Sequence, residues 1–166
     1  MKIPASELII NQDGSAFHIH IKPSQLADNV ILVGDPGRVE MVRNFFEDIV
    51  CEGASREFVW ATGHYGGTLF TVLSTGIGTD NIDIVVTELD ALANIDFATR
   101  TEKPIHRQLE LVRIGTCGGM QENVLGGDIV IATGAVAKKP NIEGIIAGKD
   151  ASSKCYLSAY AKIKNL

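Results

Sequence analysis

The sequence lacks the features that mark several large classes of protein. No apolar run approaches the roughly 20 residues that cross a bilayer, and residues 1–11 lack the charged and apolar regions of a secretion signal. Acidic residues outnumber basic ones, 20 to 15, and no basic stripe carries interleaved aromatic residues. Neither nucleic acid nor a membrane is therefore expected as a partner. The composition predicts a cytoplasmic protein.

Cysteine is also scarce. Cys51, Cys117 and Cys155 are odd in number and have no metal-ligand spacing, which predicts reduced thiols. Cys117 has no neighbouring histidine to activate it, so a small buried thiol is favoured over a nucleophile. His18 and His20 lie on one face of a predicted strand, but no third ligand has suitable spacing, and no metal is expected.

What the chain does contain is a series of apolar runs separated by turn residues. These runs predict strands at residues 17–21, 29–34, 57–62, 68–74, 109–114 and 127–136, the third and fourth joined as a hairpin through residues 64–67 (HYGG). Residues 99–107 predict a polar connection. The strands alternate with helical patterns, which indicates an α/β fold with parallel strands in one domain spanning residues 1–166.

Two segments have helical periodicity. One begins after Asp35, a plausible N-cap, and Pro36, a plausible first helical residue. The other begins at Asp80 or Asn81. The residues predicted to face the core are Val39, Met41, Val42, Phe45 and Phe46 in the first helix and Ile82, Val85, Val86, Leu89 and Leu92 in the second. Residues 153–166 could form a short terminal helix.

Three glycine-containing loops each follow a predicted buried strand: residues 34–38 (GDPGR), 74–78 (STGIG) and 113–119 (RIGTCGG). Glycine lets backbone N–H groups approach a ligand closely, and arginine offers a planar set of donors that suits phosphate. Loops at the carboxyl ends of parallel strands form anion sites. The chain is therefore predicted to bind phosphate or a phosphorylated ligand.

Single residues in these loops differ in how strongly they indicate a site. Arg113 ends an otherwise apolar strand, where a buried arginine needs an anion, so a ligand role is favoured over a salt bridge. Arg38 fits a ligand role and a solvated first-turn role equally well. Thr116 is favoured as a hydroxyl donor. Arg56, judged by its neighbours alone, is an exposed charge at a strand edge.

The order FHIHI, ILVGDPGRVEMV, SREF, STGIG, VRIGTCGG and GDIVIATGAV resembles the uridine phosphorylase branch of the nucleoside phosphorylases over residues 17–136. The resemblance implies a three-layer α/β fold with a central mixed sheet flanked by helices. It also implies a homo-oligomer, a dimer or a hexamer, that catalyses reversible phosphorolysis of a pyrimidine nucleoside to a free base and (deoxy)ribose 1-phosphate. Phosphate is the co-substrate, and no other cofactor is implied.

The resemblance also assigns residues to the site. Phosphate would be bound by Gly34, Arg38, Arg56, Arg113 and Thr116, with Arg56 supplied by the neighbouring subunit. Arg113 and Thr116 would be catalytic and would also touch the sugar. His18 would reach across the same interface towards the ribose 5′-hydroxyl. Glu57, Ile77 and Asn81 match positions that hold a monovalent cation in some relatives, although Asn81 replaces the usual serine.

The resemblance ends near Val136. Methionine occurs only at positions 1, 41 and 120, so the family's later Met-Glu segment is absent, and no base-binding residue is recognisable in residues 137–166. We therefore expect a C-terminally truncated or divergent chain with an exposed strand edge. Alternatives are an inactive phosphate- or sugar-phosphate-binding paralogue or fragment, a purine nucleoside phosphorylase, and a nucleosidase of the same fold.

Overall fold

The computed structural model describes residues 2–135 and 158–162, and the chain forms two compact units, Met1–Thr116 and Cys117–Leu166. The elements of the first unit are β1 (Asn29–Val33), α1 (Gly37–Arg43), β2 (Asp48–Ser55), β3 (Phe58–Tyr65), β4 (Thr68–Ser74), α2 (Thr79–Asn94), β5 (Ile95–Asp96), β6 (Thr101–Glu102) and β7 (Glu110–Ile114). No helix of the described residues is long and apolar enough to cross a membrane.

The main sheet has the strand order β2-β3-β4-β1-β7. Strand β1 is parallel to both of its neighbours, whereas β2, β3 and β4 form an antiparallel meander. The predicted hairpin between β3 and β4 is confirmed, with Gly66 and Gly67 both at positive φ in its two-residue turn. The predicted mixed α/β sheet is therefore confirmed.

Helices cover both faces of this sheet. Val30 and Leu32 of β1 pack in the cluster that contains Leu89 of α2, whereas Val33 packs with Val39 of α1 on the opposite face. This division follows from the two-residue period of a strand, which sends successive side chains to opposite sides. The predicted three-layer arrangement is confirmed.

The first helix is shorter than predicted. It ends at Arg43, with Pro36 as N-cap, and Val39 is its fully buried residue, whereas Met41 is 65% and Phe45 70% exposed. At about 100° per residue, Met41 lies roughly 200° from Val39 and cannot share its face. The prediction that Asp35 is the N-cap is one residue early, although Asp35 Oδ1 accepts a 2.7 Å hydrogen bond from the Gly37 N–H.

The predicted strand at residues 17–21 is wrong, because this segment is a turn. The His20 N–H donates to the Ala16 carbonyl at 3.1 Å, and His20 has a φ of 53°. The Glu88 carboxylate of α2 accepts the backbone N–H groups of His18 and Ile19, so these groups need no partner strand. His18 and His20 do not share a face, since His18 is half-buried and His20 is exposed.

Strand β2 was not predicted. It is an edge strand whose burial does not follow a strict two-residue alternation. Its presence turns the predicted start of β3 into a tight turn at Arg56 and Glu57, with Arg56 at a φ of 55°.

At the other edge of the sheet, the side chains of β7 are exposed, including those of Leu111, Val112 and Ile114.

The second unit contains an antiparallel pair, β8 (Val130–Ala135) and β9 (Ser158–Lys162). Strand β8 confirms the strand predicted over residues 127–136 within its described part. The terminal helix predicted for residues 153–166 is wrong at β9, where backbone hydrogen bonds to β8 replace helical ones. The rest of that segment and of the tail at residues 137–166 lies outside the described residues.

A buried pair of hydroxyls offers a test of this packing. Thr71 Oγ1 accepts the Ala27 N–H at 2.9 Å and lies 2.8 Å from Thr62 Oγ1, and Thr62 Oγ1 donates to the Gln25 carbonyl. We expect Thr71→Val to lower the free energy of unfolding by about 1–3 kcal/mol, because the Ala27 N–H loses its acceptor while the side-chain shape is kept. Urea unfolding measures this.

The matched control is Thr68→Val, an exposed threonine in the same strand. It should change the free energy of unfolding by less than about 0.5 kcal/mol. Equal effects of the two substitutions would contradict a role for the buried hydrogen bonds.

Candidate functional site

The three glycine-containing loops meet in one cleft of about 650 Å³. In the register of the sheet, Val33 is opposite both Ser74 and Ile114, so the chain leaves β1, β4 and β7 at the same edge. The cleft also takes in the turn before β3 and the first turn of α2. Its lining residues are Gly34, Asp35, Pro36, Arg38, Glu57, Gly76, Ile77, Gly78, Asn81, Ile82, Arg113, Gly115 and Thr116.

The cleft presents positive charge that has no partner within the described part of the chain. Neither Arg38 nor Arg113 forms a side-chain hydrogen bond or ion pair with another described residue. The two carboxylates in the cleft are both engaged, Asp35 with the Gly37 N–H and Glu57 with Asn81. The arrangement therefore suits a ligand with negative charge.

Gly115 leaves room for the guanidinium of Arg113, which also lies close to Gly34. A Cβ added to Gly115 would lie 2.8 Å from Arg113 Nη1, and one added to Gly34 would lie 3.5 Å from Nη2. Arg113 is exposed on the edge strand β7, so the sequence argument that it is a buried charge is wrong. Its place in the cleft comes instead from the adjacent glycine backbones.

Buried hydroxyls fix the end of β4. Ser74 Oγ accepts the Val59 N–H and donates to the Glu57 carbonyl, each at 2.7 Å. The Thr75 N–H donates to the Val33 carbonyl at 2.8 Å. Both side chains are fully buried, so these hydroxyls join the loop to the neighbouring strands rather than face a ligand.

The structure brings together the three residues predicted to hold a cation, but with a different chemistry. Asn81 Nδ2 donates to Glu57 Oε1 at 3.0 Å and to the Ile77 carbonyl at 3.3 Å. A neutral amide donor therefore faces the two oxygens that an ion would need, and this arrangement does not fit a cation. Gly76, at a φ of +65°, is required beside this contact, because its Cβ would lie 2.7 Å from Asn81 Nδ2.

Arg56 and His18 lie outside the cleft. The Arg56 guanidinium lies over the ring of Phe17, 5.9 Å from its centroid. Phe17 in turn contacts the His18 ring edge-on, with 4.7 Å between the two ring centroids. His18 lines a separate groove of about 210 Å³. Glu88, which holds His18, was missed by sequence reasoning, because a glutamate on the side of a helix gives no sequence signal.

The cysteines of the described residues are free thiols. Cys117 is exposed, so its predicted burial is wrong: the segment around it has no regular secondary structure to cover it. Burial raises the pKa of the Cys51 thiol, so this residue is protonated at neutral pH. No group of three or more His, Cys, Asp or Glu side chains converges for a metal among the described residues.

Known proteins share this sequence pattern and architecture. The model of the phosphorylase superfamily matches residues 28–154. The chain belongs to this superfamily. The purine nucleoside phosphorylase DeoD-type of Thermoanaerobacter sp. (strain X514) is 33% identical over 156 residues, which are 91% of this chain and 61% of the relative. The uridine phosphorylase of Treponema pallidum (strain Nichols) is 39% identical over 120 residues, 72% of this chain and 41% of the relative.

Among solved structures, this phosphorylase-superfamily chain is similar to a Trypanosoma brucei nucleoside phosphorylase described as showing uridine phosphorylase activity. The TM-score is 0.75 with 34% identity, and the match covers 89% of this chain and 50% of that one. The chain thus spans between about two fifths and three fifths of the length of these relatives.

The packing of Gly115 against Arg113 gives a test of the cleft. We expect Gly115→Ala to weaken phosphate binding about tenfold or more, because its Cβ displaces a guanidinium that would make a charge-assisted hydrogen bond. The melting temperature without phosphate should hardly change, since only the flexible end of a side chain must move. Calorimetric titration with phosphate measures the affinity.

Gly126→Ala is the control, because Gly126 lies outside the three loops and a Cβ there meets no atom of the described residues within 4 Å. It should leave phosphate affinity unchanged. A Gly115→Ala variant that binds phosphate as tightly as the unmodified chain would show that Arg113 does not contact the anion.

Proposed function

We propose that this chain is a uridine-phosphorylase-like nucleoside phosphorylase, which cleaves a pyrimidine nucleoside with phosphate to give the free base and (deoxy)ribose 1-phosphate. The observation that carries the proposal is the pair of guanidiniums, Arg38 and Arg113, that have no partner in the described part of the chain and lie beside glycine loops at the ends of three parallel strands. Phosphate would bind to Gly34, Arg38, Arg113 and Thr116. The uridine phosphorylases among the relatives support the substrate class.

The chemistry needs no nucleophile from the protein. A phosphate oxygen bonds to the anomeric carbon as the bond from that carbon to the base nitrogen breaks, and the proton of hydrogen phosphate ends on the base. Positive charge develops on the sugar during this step, and the bound phosphate dianion stabilises it. The arginines and Thr116 would act by holding the anion in line with the sugar, through positioning and electrostatic preorganisation.

A neighbouring subunit would complete the site. Arg56 and His18 lie away from the cleft of their own chain: Arg56 lies over Phe17, and His18 is held by Phe17 and Glu88. This placement supports a homo-oligomer in which Arg56 reaches the phosphate and His18 the ribose 5′-hydroxyl of a second copy. We also propose a cytoplasmic location, and no role for nucleic acid or membranes.

A second candidate function is phosphate or sugar-phosphate binding without turnover. It is favoured by the fact that every assigned residue of the cleft belongs to the phosphate and sugar side, with no base-binding residue identified. Purine nucleosides remain alternative substrates, since purine nucleoside phosphorylases are also among the relatives of this chain. A nucleosidase that uses water is less well supported, because Arg38 and Arg113 would then have no anion to bind.

One assay separates these functions. The chain is incubated with uridine or inosine, with and without phosphate, and base release and melting temperature are measured. We expect phosphate-dependent uracil release, reduced about 10²–10³-fold in kcat/KM by Arg113→Ala because a preorganised charge is lost. The control is Arg43→Ala, which removes only a surface ion pair with Glu52.

Stabilisation by phosphate without turnover would establish the second candidate and overturn the first. Phosphate-independent base release would indicate a nucleosidase. Neither turnover nor stabilisation at millimolar phosphate would contradict both proposals.

We further propose that the Asn81 amide makes a monovalent cation dispensable at Glu57 and Ile77. The melting temperature should be the same in potassium, sodium and tetramethylammonium chloride at equal ionic strength. In Asn81→Ser the two oxygens lose their amide donor, so potassium should then raise the melting temperature relative to tetramethylammonium. Potassium-specific stabilisation of the unmodified chain would contradict the proposal.

A further inference from the structure

The carboxylate of Glu88 has more hydrogen bonds than a helix-surface glutamate needs. Its Oε2 accepts the Ile19 N–H at 3.0 Å, and its Oε1 accepts the His18 N–H at 3.0 Å. Oε1 also lies 2.6 Å from Nδ1 of the His18 ring. The Glu88 side chain is only 13% exposed, so these donors stabilise a carboxylate that is largely withdrawn from water.

The third contact determines how the His18 ring can bind a ligand. A carboxylate only accepts, so Nδ1 must carry a proton, and the neutral ring then has a lone pair on Nε2. Nε2 has no hydrogen-bond partner among the described residues and is not one of their buried polar atoms. His18 therefore presents an acceptor, whereas a free imidazole favours the opposite tautomer.

The ring is also held from its other side. Phe17 contacts it edge-on at an interplanar angle of 79°, and the Arg56 guanidinium lies over Phe17. The two backbone hydrogen bonds of Glu88 would suffice to support the turn at residues 17–21. The bond to the ring adds a fixed orientation and a fixed tautomer.

We propose that Glu88 is a positioning residue that makes His18 a hydrogen-bond acceptor, and thereby selects nucleosides whose 5′ group can donate a hydrogen bond. The inference rests on the proposed function for the identity of the ligand. A 5′-hydroxyl donates to Nε2, whereas a 5′-O-methyl group offers only an oxygen acceptor and leaves Nε2 unpaired. The preference for a 5′ group that donates therefore depends on which nitrogen of the His18 ring carries the proton, and not on the charge of the site.

Glu88→Gln tests the proposal without removing the support of the turn. Oε2 of Glu88 lies within hydrogen-bond distance of both the His18 N–H, at 3.1 Å, and the Ile19 N–H, so an amide oxygen at the Oε2 position can still accept both, while the amide NH₂ group then faces Nδ1 and donates to it. This reverses the tautomer, so that Nε2 carries the proton and becomes a donor. Asp90→Asn is the matched control, because Asp90 is an exposed carboxylate on the same helix, outside the groove that His18 lines, and its Oδ1 can still accept from Asn94.

Two measurements decide the outcome. Nitrogen-15 NMR of labelled histidine, at a pH where the four imidazoles are neutral, should show His18 protonated on Nδ1 in the unmodified chain and in Asp90→Asn. In Glu88→Gln the proton should be on Nε2. His18→Asn identifies the resonance by removing it.

The second measurement is the ratio of kcat/KM for uridine to that for 5′-O-methyluridine. This ratio should fall roughly tenfold in Glu88→Gln, the value of one hydrogen bond, because a donor at Nε2 can bind the ether oxygen. The steric effect of the methyl group on kcat/KM is the same in the unmodified chain and in Glu88→Gln, so it cancels when their ratios are compared. The ratio should not change in Asp90→Asn.

An Nε2-protonated His18 in the unmodified chain overturns the proposal, and so does an unchanged ratio in an active Glu88→Gln variant. If neither nucleoside is cleaved, the comparison is made on the melting-temperature shifts that the two nucleosides produce. A tautomer that switches as expected in a chain without turnover supports the control of His18 by Glu88 and counts against the proposed function alone.

Discussion

The parallel pairing of β1 with both β4 and β7 is the constraint on which the rest of this structure depends. Parallel neighbours end at the same edge of a sheet, and the shared register opposite Val33 brings three loops that are distant in sequence into one cleft. An antiparallel partner at either position would send one loop to the opposite edge. The layers of helix on each face follow from the same strands, since a central parallel strand is apolar on both sides.

The ligand that the cleft favours depends more on which charged side chains already have hydrogen-bond partners than on the net charge. Two carboxylates and two guanidiniums line it, so its formal charge is near zero. Each carboxylate has a donor from the chain itself, whereas neither guanidinium has an acceptor among the described residues. The preference for an anion therefore arises from guanidinium donors that have no acceptor among the described residues rather than from net positive charge, and Gly115 keeps the guanidinium of Arg113 unobstructed.

Local sequence pattern predicted the parts of the fold that local forces determine. Strands β1, β4 and β7, the Gly66-Gly67 hairpin and the start of α2 all followed from apolar runs and turn residues. The turn at residues 17–21 could not be predicted, because its backbone N–H groups are satisfied by Glu88, about 70 residues later. Asn81 was grouped with Glu57 through the family resemblance, but the hydrogen bond from its amide to Glu57 is seen only in the folded chain.

The turn between β2 and β3 joins two parts of the molecule that sequence reasoning treated separately. Adjacent residues leave it in different directions: Glu57 enters the cleft and contacts Asn81, while Arg56 turns away to lie over Phe17. Arg56 adopts a φ of 55°, a conformation that costs a non-glycine residue about 1 kcal/mol or more. A strained backbone conformation of this kind persists where the surrounding structure requires it. Here it places the Glu57 side chain in the cleft and the Arg56 side chain over Phe17. The strained turn is therefore the element that holds one side chain for the cleft of its own chain and the next for the surface that carries His18.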